Sequence, residues 1–313
     1  MAVKKTNSTQ DSLKIVKPKM KSEDLLISIL FLLPALVLCA VFIIYPVLNT
    51  FVLSFEKWNG LYGVAKTFVG LQNYEKILVD SQFWNAMLNS GYFMIGGFGI
   101  LMPLSFGLAL LITSKIKFTG FFKTCYFLPV MLGTTAVALM WTFMLNPNYG
   151  IGNTLNNVMG TNNEVFDLLN TKTWNVWTVV LVNEWMYAGY NMLIFAAGLV
   201  NIPEDIMEAA SLDGCSGIQR LRYIILPLMK NSFMIFSILC ITGCLKVFDI
   251  IWAMTRGGPN DVSSTPAIML YTEGFSYKLF GRSSAYGVIL LVLGVTLSIM
   301  TNKIFQEDKE LNL

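Results

Sequence analysis

The chain has 313 residues, of which 55% are hydrophobic and only 13% charged, and its formal net charge is +3. A soluble chain usually carries about 25% charged residues, so the composition excludes a pair of soluble domains and indicates a polytopic α-helical membrane protein. The small positive excess gives no reason to expect a nucleic-acid partner, and with no histidine the commonest general base and metal ligand is missing.

Residues 1–24 form a basic tail holding Lys4, Lys5, Lys14, Lys17, Lys19 and Lys21. The tail is expected to be cytoplasmic and poorly ordered at its start. It is not read as a signal peptide, because the apolar run behind it, Leu25 to Leu48, is too long for a cleaved segment. Bulky Leu38 before Cys39 argues against lipoprotein processing.

A bilayer is spanned by about 20 apolar residues. That length predicts six spans, at 26–48, 86–112, 122–145, 174–199, 226–252 and 284–305. The expected organisation is an all-α protein: a tail over 1–24, a six-span domain over 25–305 with a cytoplasmic loop at 200–225, and an end at 306–313. Pro34, Gly96, Gly97, Pro103 and Pro129 fall inside spans, where such residues are common. Six spans put both termini on one side. That side, with loops 113–123 and 200–225 and Lys230 just beyond, holds twice as many Lys and Arg as the other three loops. The richer side is predicted to be cytoplasmic.

Loop 49–85 carries Phe68-Val69-Gly70-Leu71-Gln72-Asn73-Tyr74, then Asp80, Phe83-Trp84 and, further on, Asn89. On composition alone it is an interfacial segment with an aromatic belt. Loop 146–173 is rich in Asn and reads as a solvated outer loop.

Four of the five cysteines (Cys39, Cys125, Cys215, Cys240 and Cys244) sit in apolar runs and read as small buried hydrophobes. Cys240 and Cys244 are one helical turn apart, but without a nearby His they make a poor metal site. No disulfide framework is visible.

Charges at membrane depth cost roughly 2.5–3.5 kcal/mol each and so face a bundle or a cavity. At about 100° per residue, Asn183, Glu184, Tyr187, Tyr190 and Asn191 share one arc of the fourth span, opposite Trp185, Ala188 and Met192. Such a stripe should not face lipid. Two readings stand: a hydrophilic pathway, or packing against neighbouring helices with side-chain hydrogen bonds between them. In the fifth span Thr242, Lys246 and Asp249 share a face, and Lys246 and Asp249 are spaced to pair within a helix. Lys246 joins the pathway candidates, whereas Asp249 reads as structural.

Between these two spans the chain is unusually polar. Pro203 suits a helix start, Glu204 and Asp205 the positive first turn, Glu208-Ala209-Ala210 the body, and Gly214, after Asp213, a left-handed end. Two short helices with a sharp corner are predicted.

Glu208-Ala209-Ala210, three residues, Gly214, nine residues, then Ile224-x-Leu226-Pro227 resembles the signature of inner-membrane permease subunits of binding-protein-dependent ABC importers, with no departure in spacing. The Phe68–Tyr74 stretch resembles the segment before the second span of the sugar-type members. A third match is Phe248-Asp249 with Gly257-Gly258-Pro259, Ser264-Thr265 and Tyr271. Members usually have Gly where this chain has Arg256. The nearest likeness is to the larger maltose and first glycerol-3-phosphate permease subunits.

The resemblance implies that loop 200–225 docks on an ATPase, with Glu208, Ala209, Ala210, Asp213 and Gly214 as ATPase-coupling residues. Glu208 would be an anionic anchor, Ala209 and Ala210 a face for close packing, and Gly214 the corner. It implies a second permease, two ATPases (alike or different), an external solute-binding protein, and a place in the bacterial inner membrane. Asn183, Glu184, Tyr187, Tyr190, Asn191 and Lys246 would line the path of a polyhydroxylated substrate. No cofactor is expected in this chain and no hydrolysis by it. It has no phosphate-binding loop, since Gly63-Val64-Ala65-Lys66-Thr67 lacks the Gly before Lys; ATP with Mg would be held by the partner ATPases. An ion-coupled secondary transporter using Glu184 or Asp249 is the alternative, but it leaves the Glu208 loop unexplained and shows no inverted repeat. An intramembrane enzyme has no residue set to recommend it. An oligosaccharide, a monosaccharide and glycerol-3-phosphate all remain open as cargo.

Overall fold

In the computed structural model, residues 22–114, 117–151, 153, 154, 158, 167–172 and 174–310 are described. Most of the basic tail and much of the Asn-rich loop therefore lie outside the described residues. The chain divides into two units, Met1–Asn49 and Thr50–Leu313.

The first unit is the greater part of α1, Ile29–Leu53, a 25-residue helix. From Ile29 to Leu48 every side chain is exposed except the half-buried Cys39. A helix apolar on all sides has the character of a membrane span. Pro34 lies within it and a wider turn occupies Ala40–Ile44.

The second unit begins with a feature that amends the all-α expectation. A two-stranded antiparallel ribbon pairs Glu56 with Phe68 and Lys57 with Thr67. The Phe68–Tyr74 stretch staples it in place. Asn73 Nδ2 donates to the carbonyls of Ser54 at 2.8 Å and Glu56 at 3.0 Å, and Tyr74 Oη lies 2.7 Å from Ser54 Oγ.

The next helix, α2, spans Ser81–Thr113. Asp80 caps it by accepting from the Gln82 amide at 2.9 Å. Gly96 and Gly97 mark its closest approach to other helices. A methyl on Gly96 would lie 2.4 Å from Val180, and one on Gly97 2.3 Å from Cys240 Sγ.

The expected third span is broken. α3, Thr119–Met131, and α4, Thr134–Met144, meet at 92°. Gly133 makes the corner at φ +79°, a value that L side chains resist. The fifth span is broken as well. Gly217–Leu228 meets α7, Lys230–Lys246, at 66°, and α7 ends at Lys246, before α8, Asp249–Met254. Pro227, expected to open the span, sits two residues before this bend. The sixth expected span lies within α9, Phe280–Glu310. Among the described residues three helices are long and apolar enough to cross a membrane alone, Ile29–Leu53, Ser81–Thr113 and Phe280–Phe305, and each bent pair qualifies if taken as one span.

The fourth expected span, α5, is Asn175–Val200. At 26 residues it has the length to cross, but its polar stripe interrupts its apolarity. It tolerates this because half its residues are buried against α2, α3 and α7. Gly189 lets α3 pass, since a methyl there would lie 1.9 Å from the Tyr126 carbonyl oxygen. Within lipid, packing rather than water exclusion holds helices together. Phe195 of α5 illustrates it, with ring centroids 5.0 Å from Phe233 and 5.3 Å from Phe236. Such pairs contribute about 0.5–1.5 kcal/mol each beyond burial.

Candidate functional site

The arc predicted on α5 is the wall of a cavity of about 280 Å³. Asn183, Glu184, Tyr187, Tyr190 and Asn191 line it from α5, and Lys246 from the end of α7. All six pathway candidates thus meet in one place. Phe93 and Leu101 of α2 and Thr134 of α4 also line it.

The cavity is graded. Glu184 and Asn191 are buried, Asn183 and Tyr187 half-buried, and Tyr190, Lys246 and Asp249 exposed. Beside the cavity Gly96 of α2 packs closely on α5, where a methyl would come within 3.3 Å of Glu184 Oε1. Asn183 Nδ2 donates a long 3.4 Å hydrogen bond to Glu184 Oε1. Glu184 Oε2 is buried with no hydrogen-bond partner. Asn191 Nδ2 donates back to the Tyr187 carbonyl at 3.0 Å. The pocket therefore holds an acceptor that its own chain does not satisfy, which suits a ligand bearing hydroxyl donors.

Two expectations fail here. Lys246 and Asp249 form no ion pair, because α7 ends at Lys246 and Val247 turns to ψ 116°. The i, i+3 geometry needed for pairing is lost at that break. Of the cysteines expected to be buried, Cys244 is buried, Cys39 and Cys240 are half-buried and Cys125 is exposed, and Cys240 and Cys244 also line the cavity, with Sγ atoms 4.0 Å apart. Sequence spacing gives no signal for this, since at about 100° per residue both lie more than about 100° around the helix from Lys246.

A second region is the corner after α5. α6, Glu204–Leu212, starts after Pro203 (φ −58°) with Glu204 and Asp205 in its first turn. At its end Gly214 takes φ +73°, the Cys215 amide donates to the Ala210 carbonyl at 3.0 Å, and the Gly214 amide donates to that of Ser211 at 3.2 Å. That pair of bonds is a Schellman end. Ser216 and Gln219 then form a capping box opening Gly217–Arg220, and Arg220 Nη2 ties back to Ser211 Oγ at 2.9 Å. Met207 and Ala210 turn inward, while Glu208, Ala209, Asp213 and Gly214 are exposed. The two alanines therefore face different ways: Ala210 seats the helix and Ala209 is presented outward. Leu212, 90% exposed, is an outward residue that the motif did not single out.

The motifs around Asn89 and Gly257–Thr265 are joined by hydrogen bonds within the chain. Asn89 Nδ2 donates to the Val262 and Ser264 carbonyls at 2.7 and 2.8 Å. Asn175 Nδ2 donates to the carbonyls of Leu169 and Gly258. Thr265 Oγ1 donates to Val247 at 2.8 Å, fixing the break beside the cavity. Arg256 stands at φ +52°, the left-handed region that favours the Gly expected there.

A helical membrane protein with a polar cavity among its central helices and a capped knob at a helix corner has the form of a transport component. Residues 99–306 match the binding-protein-dependent transport system inner membrane component, and the chain belongs to that family. The probable ABC transporter permease protein YurN of Bacillus subtilis is 30% identical over 295 residues, covering 93% of this chain and all of that one. The trehalose/maltose transport system permease protein MalF of Thermococcus litoralis is 29% identical over 292 residues, covering 93% and 98%. A chain in the crystal structure of a bacterial ABC transporter involved in the import of the acidic polysaccharide alginate superposes with TM-score 0.79 at 19% identity, covering 91% and 96%. Membership in this family leaves the ion-coupled alternative without support.

Proposed function

We propose that this chain is the membrane subunit of a sugar importer and that its 280 Å³ cavity is this subunit's share of the sugar path. The observation that carries this reading is the convergence of Asn183, Glu184, Tyr187, Tyr190, Asn191 and Lys246 on one cavity. Amides, a carboxylate and an ammonium offer hydrogen bonds to hydroxyls, and the tyrosine rings offer flat apolar faces to sugar C–H groups. The names of relatives such as the trehalose/maltose permease support a saccharide as cargo.

In this reading the chain crosses the inner membrane six times, each bent pair counting as one span, with both termini in the cytoplasm. The domain limits are 25–305 for the membrane part, with short cytoplasmic ends. A second permease completes the path, and an external binding protein delivers the sugar. Two ATPases bind ATP and Mg, and this chain holds no cofactor. The α6 corner is the coupling helix. Glu208, Ala209, Asp213 and Gly214 face the ATPase, with Ala210 as the seat. Closure of the ATPase pair on ATP pushes this corner and opens the path outward. Hydrolysis returns it inward.

Uptake by the reconstituted complex tests the path. Glu184→Ala and Asn191→Ala should each reduce uptake about tenfold, equivalent to ~1.4 kcal/mol, while the complex still assembles. Uptake at the unsubstituted rate by both variants would remove the cavity from the path.

A further inference from the structure

We propose that the cavity discriminates by charge: it disfavours anionic ligands, its cargo is a neutral, hydroxyl-rich saccharide, and Glu184 sets that preference. This rests on reading the cavity as the sugar path, and it narrows the cargo.

Three charged side chains line the cavity, Glu184, Lys246 and Asp249. Lys246 and Asp249 are opposite charges, three residues apart in sequence and both exposed. In water-like surroundings they offset one another without a contact. Lys246 also ends α7, where the helix dipole favours a cation and reduces the attraction left for a ligand anion. Glu184 differs from both. It is 2% exposed, and its Oε2 has no hydrogen-bond partner. Among the described residues no arginine lines the cavity, so the forked donor that recognises phosphate and carboxylate groups is missing from this wall. A uronate or phosphate entering here would meet a carboxylate with no cation beside it, in a setting where burial disfavours charge on either group. A sugar hydroxyl would instead donate to the open oxygen of Glu184 while Asn183 and Asn191 serve its other groups. Proteins of this architecture serve both kinds of cargo, by their names trehalose/maltose in one case and acidic alginate in another. Architecture does not decide between them, but the lining does.

Cys240 and Cys244 allow a test that needs no sugar, because both thiols line the same cavity. The complete reconstituted complex is prepared with Cys39, Cys125 and Cys215 replaced by Ser. It is treated with a cationic (trimethylammonium-ethyl) or an anionic (sulfonato-ethyl) methanethiosulfonate, and labelling of this chain is followed by mass. Each rate is divided by that of a small free thiol in solution. The cationic reagent should be favoured about tenfold over the anionic one, the low end of what charge in a cleft does to local ion concentration, and Glu184→Gln should bring the ratio close to one. Neutral methyl methanethiosulfonate should label both forms equally, which shows that the variant keeps its cavity. A corrected ratio near one before substitution, or a ratio unmoved by Glu184→Gln, overturns the proposal. So does failure of the neutral reagent to label either thiol, since the cavity would then not exist as described. Failure of the sugar reading looks different: the charge ratio stands, but no saccharide is taken up.

Discussion

At the scale of single residues, two backbone positions show how conformation decides what a side chain costs. Gly214 and Arg256 both adopt positive φ, +73° and +52°. Gly214 pays no steric penalty there, and Arg256 does. Arg256 is exposed, so its strain is not offset by burial. Arg256→Gly should raise stability by about 1 kcal/mol, seen as a higher melting temperature of the detergent-solubilised complex. An unchanged or lower melting temperature would mean that the guanidinium compensates for the strain. The residue scale was partly legible in the sequence. The arc on α5 could be read because helical spacing alone groups Asn183, Glu184, Tyr187, Tyr190 and Asn191. The placement of Cys240 and Cys244 was not, because it depends on how other helices pack, as where Gly97 leaves room for Cys240 Sγ.

At the scale of elements, hydropathy located every apolar stretch but not its breaks. The stretch 122–145 is predominantly apolar, so its length predicts one helix, yet Gly133 turns it through 92°. A glycine's φ cannot be read from composition, since Gly is also tolerated inside membrane helices. The fifth span hid its bend in the same way, at Met229, between two apolar runs. The corner at α6 was legible almost in full, because caps are written locally: Pro203, the acidic first turn, Gly214 and the Ser216–Gln219 box are all neighbours in sequence. Which alanine faces inward was not, as that depends on where Met207 and Ala210 find the core. If this corner transmits motion, two changes should disrupt it differently. Space around Gly214 is open, so Gly214→Val acts through backbone strain alone, about 1–2 kcal/mol. Glu208→Lys reverses an exposed charge without touching the fold. Both should abolish substrate-stimulated ATP hydrolysis by the assembled complex and leave hydrolysis by the isolated ATPases as it was. Unchanged stimulation in both variants would assign the corner to folding only.

At the scale of the whole molecule, the cavity and the corner are joined by one element. α5 carries the polar wall along its middle and leads through Asn201–Pro203 into α6. Phe195, one turn beyond Asn191, is fully buried against Phe233 and Phe236, and the same cluster receives Met207 and Leu221 from the corner. In the proposed mechanism a displacement of α6 would therefore pass through a packed core to the helix that bears Glu184 and Asn191. Such cores shift between discrete arrangements rather than deform gradually. The account needs a soluble partner to grip α6 from the cytoplasm. Leu212, 90% exposed at its end, is the place to look. Leu212→Cys, in the reconstituted complex with the native cysteines replaced by Ser, should cross-link to the ATPase subunit through a short bis-maleimide carried by an engineered ATPase thiol. The cross-link yield should change when ATP is added. Leu212→Cys labelled only by a membrane-impermeant reagent from the external side, with no ATPase cross-link, would contradict the account.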